Sequence, residues 1–134
     1  MFNQIKTSLS NKAVVSDLTR KFGLGTENVI ARIAIGVSIH SGCRFSPLDI
    51  KDSGGKEYSK NVLFGTLYSS YLYMLCTAYN INDKDKDIPR YFKMHLDHGL
   101  ELIASEVQEN PNLLGFDYLF DKIKIGLDEL CSPM

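Results

Sequence analysis

The sequence predicts a mainly α-helical fold in which a short N-terminal strand precedes about five helices. Apolar residues recur at helical spacing along most of the chain, turn-forming residues cluster between these stretches, and only the first residues alternate as in a strand. The 134 residues, 44% of them hydrophobic, are sufficient for a single domain with one core. Its predicted parts are a strand-helix-helix unit (1–42), a loop or hairpin (43–58), two long helices (59–109) and a C-terminal helical extension (110–134).

The first nine residues predict a short, half-buried strand. In an extended chain, Ile5 and Leu9 lie on one face, and Gln4 and Lys6 lie on the other. A single strand cannot satisfy its own backbone groups, so its partner comes either from the loop at 43–58 or from a second chain. A two-fold-related chain would complete a ribbon-helix-helix dimer, whose two-stranded ribbon enters the major groove of DNA.

Two amphipathic helices follow the strand. In the first helix Val14, Leu18 and Phe22 recur every four residues, and Gly23 supplies its C-terminal stop. The second helix has a broad apolar face, which predicts that it is largely buried before it ends at Gly42. That face consists of Val29, Ile30, Ile33, Ala34, Ile35, Val37 and Ile39.

Three further helices are predicted after a loop. Turn-forming residues between Cys43 and Glu57 indicate a loop that holds a small hairpin. The third helix is predicted at about Ser59 to Tyr79, the fourth from its cap Asp87 to Asn110, and the fifth near Asp117 to Leu130. Their periodic residues are Leu63, Leu67, Tyr71 and Leu75, then Phe92, Leu96, Leu100, Ile103 and Val107, and finally Leu119, Phe120, Ile123 and Leu127.

Charge is unevenly distributed along a chain whose net charge is −1. Residues 1–60 contain nine Lys and Arg against five Asp and Glu, whereas residues 61–134 contain six against eleven. This split predicts that one end meets an anion and the other faces solvent or a basic partner, although a solvated surface produces the same split by chance. The near-neutral total argues against indiscriminate coating of nucleic acid.

The cysteines and the N-terminal residues indicate a reducing compartment. Cys43, Cys76 and Cys131 are an odd number at wide spacing, which suits neither a disulfide framework nor a zinc knuckle. Residues 1–12 lack the apolar region and cleavage site of a signal peptide, and no stretch approaches the roughly 18 apolar residues that span a bilayer. We therefore expect a soluble, cytoplasmic protein.

Four basic residues in the N-terminal part are candidate phosphate contacts. Lys6 lies on the outward face of the strand, and Lys12 lies early in the first helix. Arg20 and Lys21 lie beside Gly23, in a turn whose backbone N–H groups would also face a phosphate. Alternatively, Arg20 and Lys21 complement the negative C-terminal end of the first helix.

Strong catalytic and metal-binding signatures are absent from the sequence, so we predict no catalytic residue, no metal and no cofactor. His95 and His98, with Asp97 and Glu101 nearby, lie on adjacent turns, but helical zinc sites space their histidines by four. A structural network is the main interpretation of this cluster, and a metal or proton-transfer role is the alternative. The aspartates from Asp83 onward start like a calcium loop but lack its later Gly and Glu.

Tyrosines are concentrated in the third predicted helix, at Tyr68, Tyr71 and Tyr73. This density exceeds what one core face needs and is typical of a protein interface, although a helix buried on two sides would look similar. We therefore expect a homo-oligomer.

Five segments between about Ile5 and Val107 carry a family resemblance. They are Thr19 to Leu24, Asn28 to Ala34, Lys51 to Tyr58, Leu63 to Gly65, and His95 to Glu101. Their order and spacing resemble the DndE family of DNA sulfur modification proteins. Residues 110–134 lie outside the resemblance.

The resemblance implies a ribbon-helix-helix-like variant with extra helices that assembles into a homo-oligomer, a tetramer. It also implies a role beside the DndC and DndD subunits, downstream of a cysteine desulfurase, when sulfur replaces a non-bridging phosphate oxygen of DNA. Members are regarded as the DNA-binding or complex-stabilising component, without an established active site. The family's DNA-binding hypothesis rests on lysine-rich surfaces, whereas this chain is nearly neutral.

We therefore expect a non-catalytic subunit that holds the phosphate backbone of double-stranded DNA, with Lys6, Lys12, Arg20 and Lys21 as contacts. Three alternatives remain. The first is a ribbon-helix-helix transcriptional repressor, the second is a DNA-nicking enzyme that uses the histidine cluster, and the third is an assembly scaffold that does not touch DNA.

Overall fold

The predicted class is confirmed, because the protein is mainly helical with a short two-stranded antiparallel ribbon near its N-terminus. A computed structural model describes residues 2–113 and 115–131. In chain order the elements are β1 (Gln4–Lys6), α1 (Leu9–Phe22), α2 (Glu27–His40), a 3₁₀ turn (Pro47–Asp49), β2 (Glu57–Ser59), α3 (Lys60–Phe64), a second 3₁₀ turn (Gly65–Leu67), α4 (Tyr68–Tyr79), α5 (Ile88–Glu109) and α6 (Gly115–Cys131).

The partner of β1 is a strand of the same chain. β1 and β2 are antiparallel, with Ile5 opposite Tyr58 and Lys6 opposite Glu57. Ile5 and Tyr58 point into the core, and their neighbours on both strands are exposed. Of the two predicted sources of a partner strand, the chain therefore uses its own segment after the loop, so β1 does not need a second chain to satisfy its backbone groups.

The centre of the core is the contact between α2 and α5. Gly99 marks the closest approach, because a Cβ atom there would lie 1.8 Å from the carbonyl oxygen of Ala34. Around it, α2 contributes Ile30 and Ile35, and α5 contributes Leu96 and Leu100, all at most 1% exposed. The apolar periodicity that predicted these two helices therefore corresponds to their mutual burial.

Burial in α1 differs in detail from the prediction. Leu9 begins α1 instead of ending the strand, and 62% of its surface is exposed. Val15, not Val14, joins Leu18 and Phe22 in the core. The helix ends as predicted, because Gly23 adopts the left-handed conformation with φ of 63°.

The third predicted helix is broken at Gly65. This residue has φ of 55° and ψ of −132°, a conformation that only glycine adopts readily, and it separates α3 from α4 through a 3₁₀ turn. The prediction of one continuous helix was wrong. Before the break Phe64 is fully buried, and its ring packs 4.8 Å from that of Phe92. After it Tyr73 is 74% exposed.

The C-terminal helix α6 is present as predicted, but most of its periodic residues face outward. Only Tyr118 and Gly115 of its described side chains are buried against the body. A Cβ atom on Gly115 would lie 2.3 Å from the carbonyl oxygen of Phe22, so α6 starts directly against the end of α1. Phe116, Phe120, Ile123, Ile125 and Leu127 are between 48% and 75% exposed.

Across residues 2–113 and 115–131, no single helix is long and apolar enough to cross a membrane. The bent pair of α1 and α2, which turns by 105° at its break, reaches that length and composition only when both helices are combined.

Candidate nucleic-acid interface

The outward face of the ribbon carries one cation and one anion. Gln4 and Lys6 project from β1, and Glu57 and Ser59 project from β2. Lys6 lies directly opposite Glu57, so the two charges are cross-strand neighbours. The ribbon alone is therefore electrostatically neutral on its exposed face.

A cationic groove of about 350 Å³ lies beside the ribbon. Its charged lining residues are Lys6, Arg90 and Lys93, and no carboxylate lines it. Lys6 and Arg90 are exposed, whereas Lys93 is buried. The Nε atom of Arg90 lies 3.9 Å from Asp87 and one terminal nitrogen donates to the carbonyl oxygen of Pro47 at 3.5 Å, so the second terminal nitrogen is the one that can meet an anion without giving up either contact. The remaining walls are Gln4, Ile5, Ile50, Ser53 and Pro89.

Arg90 was not predicted as a contact, although the sequence contains a signal for it. It follows Pro89 in the first turn of α5, where the helix dipole disfavours a positive charge. An arginine in that position gains nothing from the helix dipole, although Asp87 at the N-cap offsets part of its charge, and this favours a role outside the helix. Its convergence with Lys6, far away in sequence, depends on the position of the ribbon against α5.

A buried ion pair holds the ribbon against α5. Lys93 Nζ lies 3.1 Å from the carboxylate of Asp97, and both side chains are at most 6% exposed. The same ammonium group donates to the carbonyl oxygens of Lys6 and Asp52, each at 2.8 Å. Asp97 accepts from the Ser8 N–H at 3.0 Å and from the Asn11 side chain at 2.8 Å. One pair thus connects β1, the start of α1, the loop before β2 and α5.

The Gly54-Gly55 pair has a packing role. A Cβ atom on Gly55 would lie 2.1 Å from the carbonyl oxygen of Ser8, so only glycine allows this backbone to pass. Gly55 N–H donates to Thr7 at 3.0 Å. Backbone N–H groups of Leu9 and Gly54 donate to the carboxylate of Asp52 and lower its pKa.

The other predicted contacts lie along α1, away from the groove. Lys12 is exposed in the first half of the helix, and Arg20 and Lys21 are exposed on its last turn. Arg20 pairs with Asp17 one turn earlier, and Lys21 donates to the carbonyl oxygen of Pro111. Lys12 and Arg20 are about 12 Å apart along the helix axis. The structure therefore does not gather the four predicted residues into one cluster.

The histidines form a hydrogen-bonded chain through Ser38. Its hydroxyl oxygen lies 2.7 Å from His95 Nδ1 and 2.8 Å from His98 Nδ1. Tyr79 accepts from the Phe45 N–H at 2.9 Å, and its hydroxyl lies 2.8 Å from His95 Nε2. Every hydroxyl proton finds an acceptor if Tyr79 donates to His95, His95 donates to Ser38, and Ser38 donates to His98.

Both imidazoles in this chain are neutral near pH 7. Burial lowers the pKa of His95 to about 4, with smaller contributions from the charge of Arg44 and from His98 when that ring is protonated. Burial also lowers the pKa of His98, against the opposing effect of Glu101. Neutral, mutually bonded rings of this kind connect α2, α4 and α5 as a structural network.

The residues grouped in the sequence at 95–101 belong to three separate networks. The histidines bond through Ser38, Asp97 pairs with Lys93, and Glu101 pairs with Lys51. Within the described part of the chain, no group of three or more His, Cys, Asp or Glu side chains is placed to hold a metal ion. The aspartates from Asp83 form a turn in which the Asn82 side chain accepts from the Lys84 N–H at 2.9 Å.

The fold and groove define a small helical protein of the ribbon-helix-helix-like class with a cationic cleft beside its ribbon. The family model of the DNA sulphur modification protein DndE matches residues 4–110, and the chain therefore belongs to the DndE family. This match extends from the ribbon through α5 and leaves α6 outside.

Two solved structures have a similar fold. The crystal structure of DndE from Escherichia coli B7A, described as involved in DNA phosphorothioation modification, aligns with a TM-score of 0.62 at 22% identity, over 77% of this chain and 98% of that one. The G21/24K mutant of a DndE aligns with a TM-score of 0.64 at 23% identity, with the same coverage. The comparison with curated proteins found no match.

Proposed function

We propose that this chain is a non-catalytic, cytoplasmic subunit of the DNA phosphorothioation machinery, which holds the backbone of double-stranded DNA while DndC- and DndD-like partners insert sulfur. Membership of the DndE family is the observation that carries this proposal. In this account the chemistry belongs to the partners. The contribution of this chain is to bind DNA and stabilise the complex, without a cofactor of its own.

The groove supports DNA contact at the ribbon. The two exposed charged side chains that line the cleft, Lys6 and Arg90, are both cations and attract phosphate, whereas the charge of the buried Lys93 is balanced by Asp97. We therefore place Lys6 and Arg90 at the primary contact. Lys12, Arg20 and Lys21 are secondary contacts, because they lie along α1 and do not line the groove.

The two rival functions that involve DNA receive less support from the geometry. A nicking enzyme would need a histidine that reaches its substrate, yet His95 is fully buried and bonded at both ring nitrogens, and the half-buried His98 is bonded through Nδ1 to Ser38. A ribbon-helix-helix repressor builds its ribbon from two chains, whereas β1 here pairs with β2 of its own chain.

Assembly into a homo-oligomer, a tetramer, is part of the proposal. Exposed apolar side chains on α3, α4 and the turn between them support it. They are Val62, Leu67, Tyr73 and Met74, between 38% and 74% exposed. A neighbouring copy that covers this surface would remove it from water.

The test is DNA affinity over a salt series from about 50 to about 200 mM, measured by fluorescence anisotropy of a labelled duplex. Because each neutralised phosphate releases counterions, Lys6→Ala with Arg90→Ala should weaken binding and flatten the log-log salt slope by about 1.8. Lys84→Ala with Lys86→Ala removes the same charge from two exposed lysines elsewhere and should leave the slope unchanged. A groove variant that binds like the parent protein would contradict the proposed contact.

The secondary site has a separate test. Arg20→Glu with Lys21→Glu removes two cations from α1 and adds repulsion, so affinity should fall and the slope should again flatten by about 0.9 for each lost contact. Oligomer mass, measured by light scattering, should stay the same because both side chains are exposed. Parent-like DNA binding by this variant would restrict the interface to the ribbon groove.

A further inference from the structure

The outer surface of α6 is a continuous apolar stripe. Phe116, Phe120, Ile123 and Leu127 are 75%, 70%, 61% and 56% exposed. Their spacing of four, three and four residues places all of them within an arc of about 60° on the helix. We call these four residues the α6 seam. Alternating steps of four and three residues are the spacing by which one helix packs along another.

The opposite side of α6 is already occupied by the body of the protein. Tyr118 is only 2% exposed and packs 5.2 Å, between ring centroids, from Phe22. Lys122 pairs with Glu106 of α5 at 3.0 Å. These contacts fix which side of the helix faces inward, so the seam projects away from the molecule.

Charges beside the seam select its partner. Asp117 and Lys124 are exposed and lie on the same flank, about 90° from the seam. In an antiparallel helix pair each flank meets the same flank of the other helix, so Asp117 of each copy would meet Lys124 of the other. In a parallel pair the flank with Asp117 and Lys124 would meet the other flank of the second helix, where Leu119 lies, so neither charge would meet an opposite charge.

From the seam and its charged flank we infer that α6 binds α6 of a second copy of this chain, antiparallel and about a two-fold axis. Placing the axis between Phe120 and Ile123 sets these residues opposite each other and Phe116 opposite Leu127 of the second copy. Both ends of the pair then bring an aspartate close to a lysine. A surface that complements itself in this way forms closed dimers.

The area involved sets the expected strength. The exposed parts of the four seam side chains amount to roughly 500 Å² per chain. Stable interfaces bury about 800 Å² per partner, so the α6 contact alone should be reversible, with a dissociation constant in the micromolar range. The contact lies outside residues 4–110, so it is an addition to the part of the chain that the family model matches.

The test is sedimentation velocity of the full chain from about 1 to about 300 µM, a range that brackets a micromolar equilibrium. The parent protein should increase in mass with concentration. Phe120→Glu should lower the mass at the highest concentration about twofold, because it buries a charge in the seam. Leu48→Glu is the matched control, because Leu48 is an equally apolar side chain that is 89% exposed elsewhere, and it should behave as the parent does.

Charge exchange tests the antiparallel arrangement. Lys124→Asp alone should weaken association about tenfold, because Asp117 would then face Asp. Asp117→Lys combined with Lys124→Asp should restore it. A mass that does not change with concentration, as expected for a seam that binds a different protein, would overturn the inference. Parent-like association of Phe120→Glu, or failure of the double exchange to restore it, would overturn it equally.

Discussion

Removing the carboxylate of Asp97 should destabilise the protein far more than removing a neighbouring exposed carboxylate. Asp97→Ala leaves the Lys93 ammonium buried without its counter-ion, although two backbone carbonyls still accept from it. It also leaves the Ser8 N–H without its acceptor and removes the shortest hydrogen bond of the Asn11 amide, which keeps weaker bonds to the Ser8 hydroxyl and to the carbonyl oxygen of residue 97. Breaking a buried pair costs about 3–5 kcal/mol of unfolding free energy.

The control is Glu101→Ala, one turn later on α5. Its ion pair with Lys51 leaves both side chains nearly half exposed, at 44% and 48%, so the loss should be at most about 1 kcal/mol. With a urea m-value of about 2 kcal/mol/M, Asp97→Ala should lower the unfolding midpoint by about 2 M and Glu101→Ala by at most about 0.5 M. Circular dichroism during urea titration measures both.

Asp97→Asn is a milder version of the same perturbation. The asparagine oxygen can still accept from Ser8 and Asn11, but the negative charge is gone, so its cost should fall between those of the two alanine variants. If Asp97→Ala unfolds at the same urea concentration as Glu101→Ala, the buried pair does not hold the ribbon to α5. The explanation of how Lys6 reaches the groove would then be wrong.

Two further perturbations test the core and the histidine chain. Gly99→Ala should lower the free energy of unfolding, measured by urea titration, by more than about 3 kcal/mol, because its Cβ atom would lie 1.8 Å from the Ala34 carbonyl oxygen. Gly36→Ala is the control and should be neutral or stabilising, because the space around Gly36 is open. Equal effects of the two substitutions would contradict the packing of α2 against α5. Since the pKa of His95 falls from 6.5 to about 4 on folding, the unfolded state binds more protons between these values, and stability should drop by about 3 kcal/mol as pH falls from 6.5 to 4. His95→Gln should flatten that dependence, and an unchanged pH profile would show that His95 titrates normally.

The helices were predictable where burial repeats along one face. Phe92, Leu96, Leu100 and Ile103 recur on α5, and each is fully buried, so the periodicity in the sequence reports the packing directly. Gly23 could also be identified as a helix stop, because a left-handed residue after an amphipathic segment strongly favours glycine. These features depend on residues close to one another in sequence.

Contacts between segments that are distant in the chain could not be predicted from the sequence. Lys6 lies opposite Glu57 in the ribbon although the two residues are about fifty positions apart in the chain, and nothing in the sequence around either residue specifies this strand register. It follows from Gly55, which lets the backbone pass Ser8, and from the Lys93 pair, which binds the carbonyl oxygen of Lys6. Helical periodicity also identified α6 without indicating that its apolar side faces away from the body.

The candidate site was predicted only in part for the same reason. Lys6 was identified because an alternating strand exposes it, and the structure leaves it exposed beside the groove. Arg90 was missed because its proximity to Lys6 depends on the packing of the ribbon against α5. The histidine cluster was grouped by helical spacing alone, whereas His95, Asp97 and Glu101 bond to three different elements.

We propose that this chain acts in DNA phosphorothioation by holding the DNA backbone in the ribbon groove. The most direct measurement is the phosphorothioate content of DNA, determined by mass spectrometry of digested nucleotides, from cells that carry the modification genes with this gene deleted and then restored. The parent chain and the Lys84→Ala/Lys86→Ala control should restore the sulfur content, and Lys6→Ala/Arg90→Ala should leave it strongly reduced despite normal protein levels. Sulfur content that survives the deletion, or full restoration by the groove variant, would contradict the account.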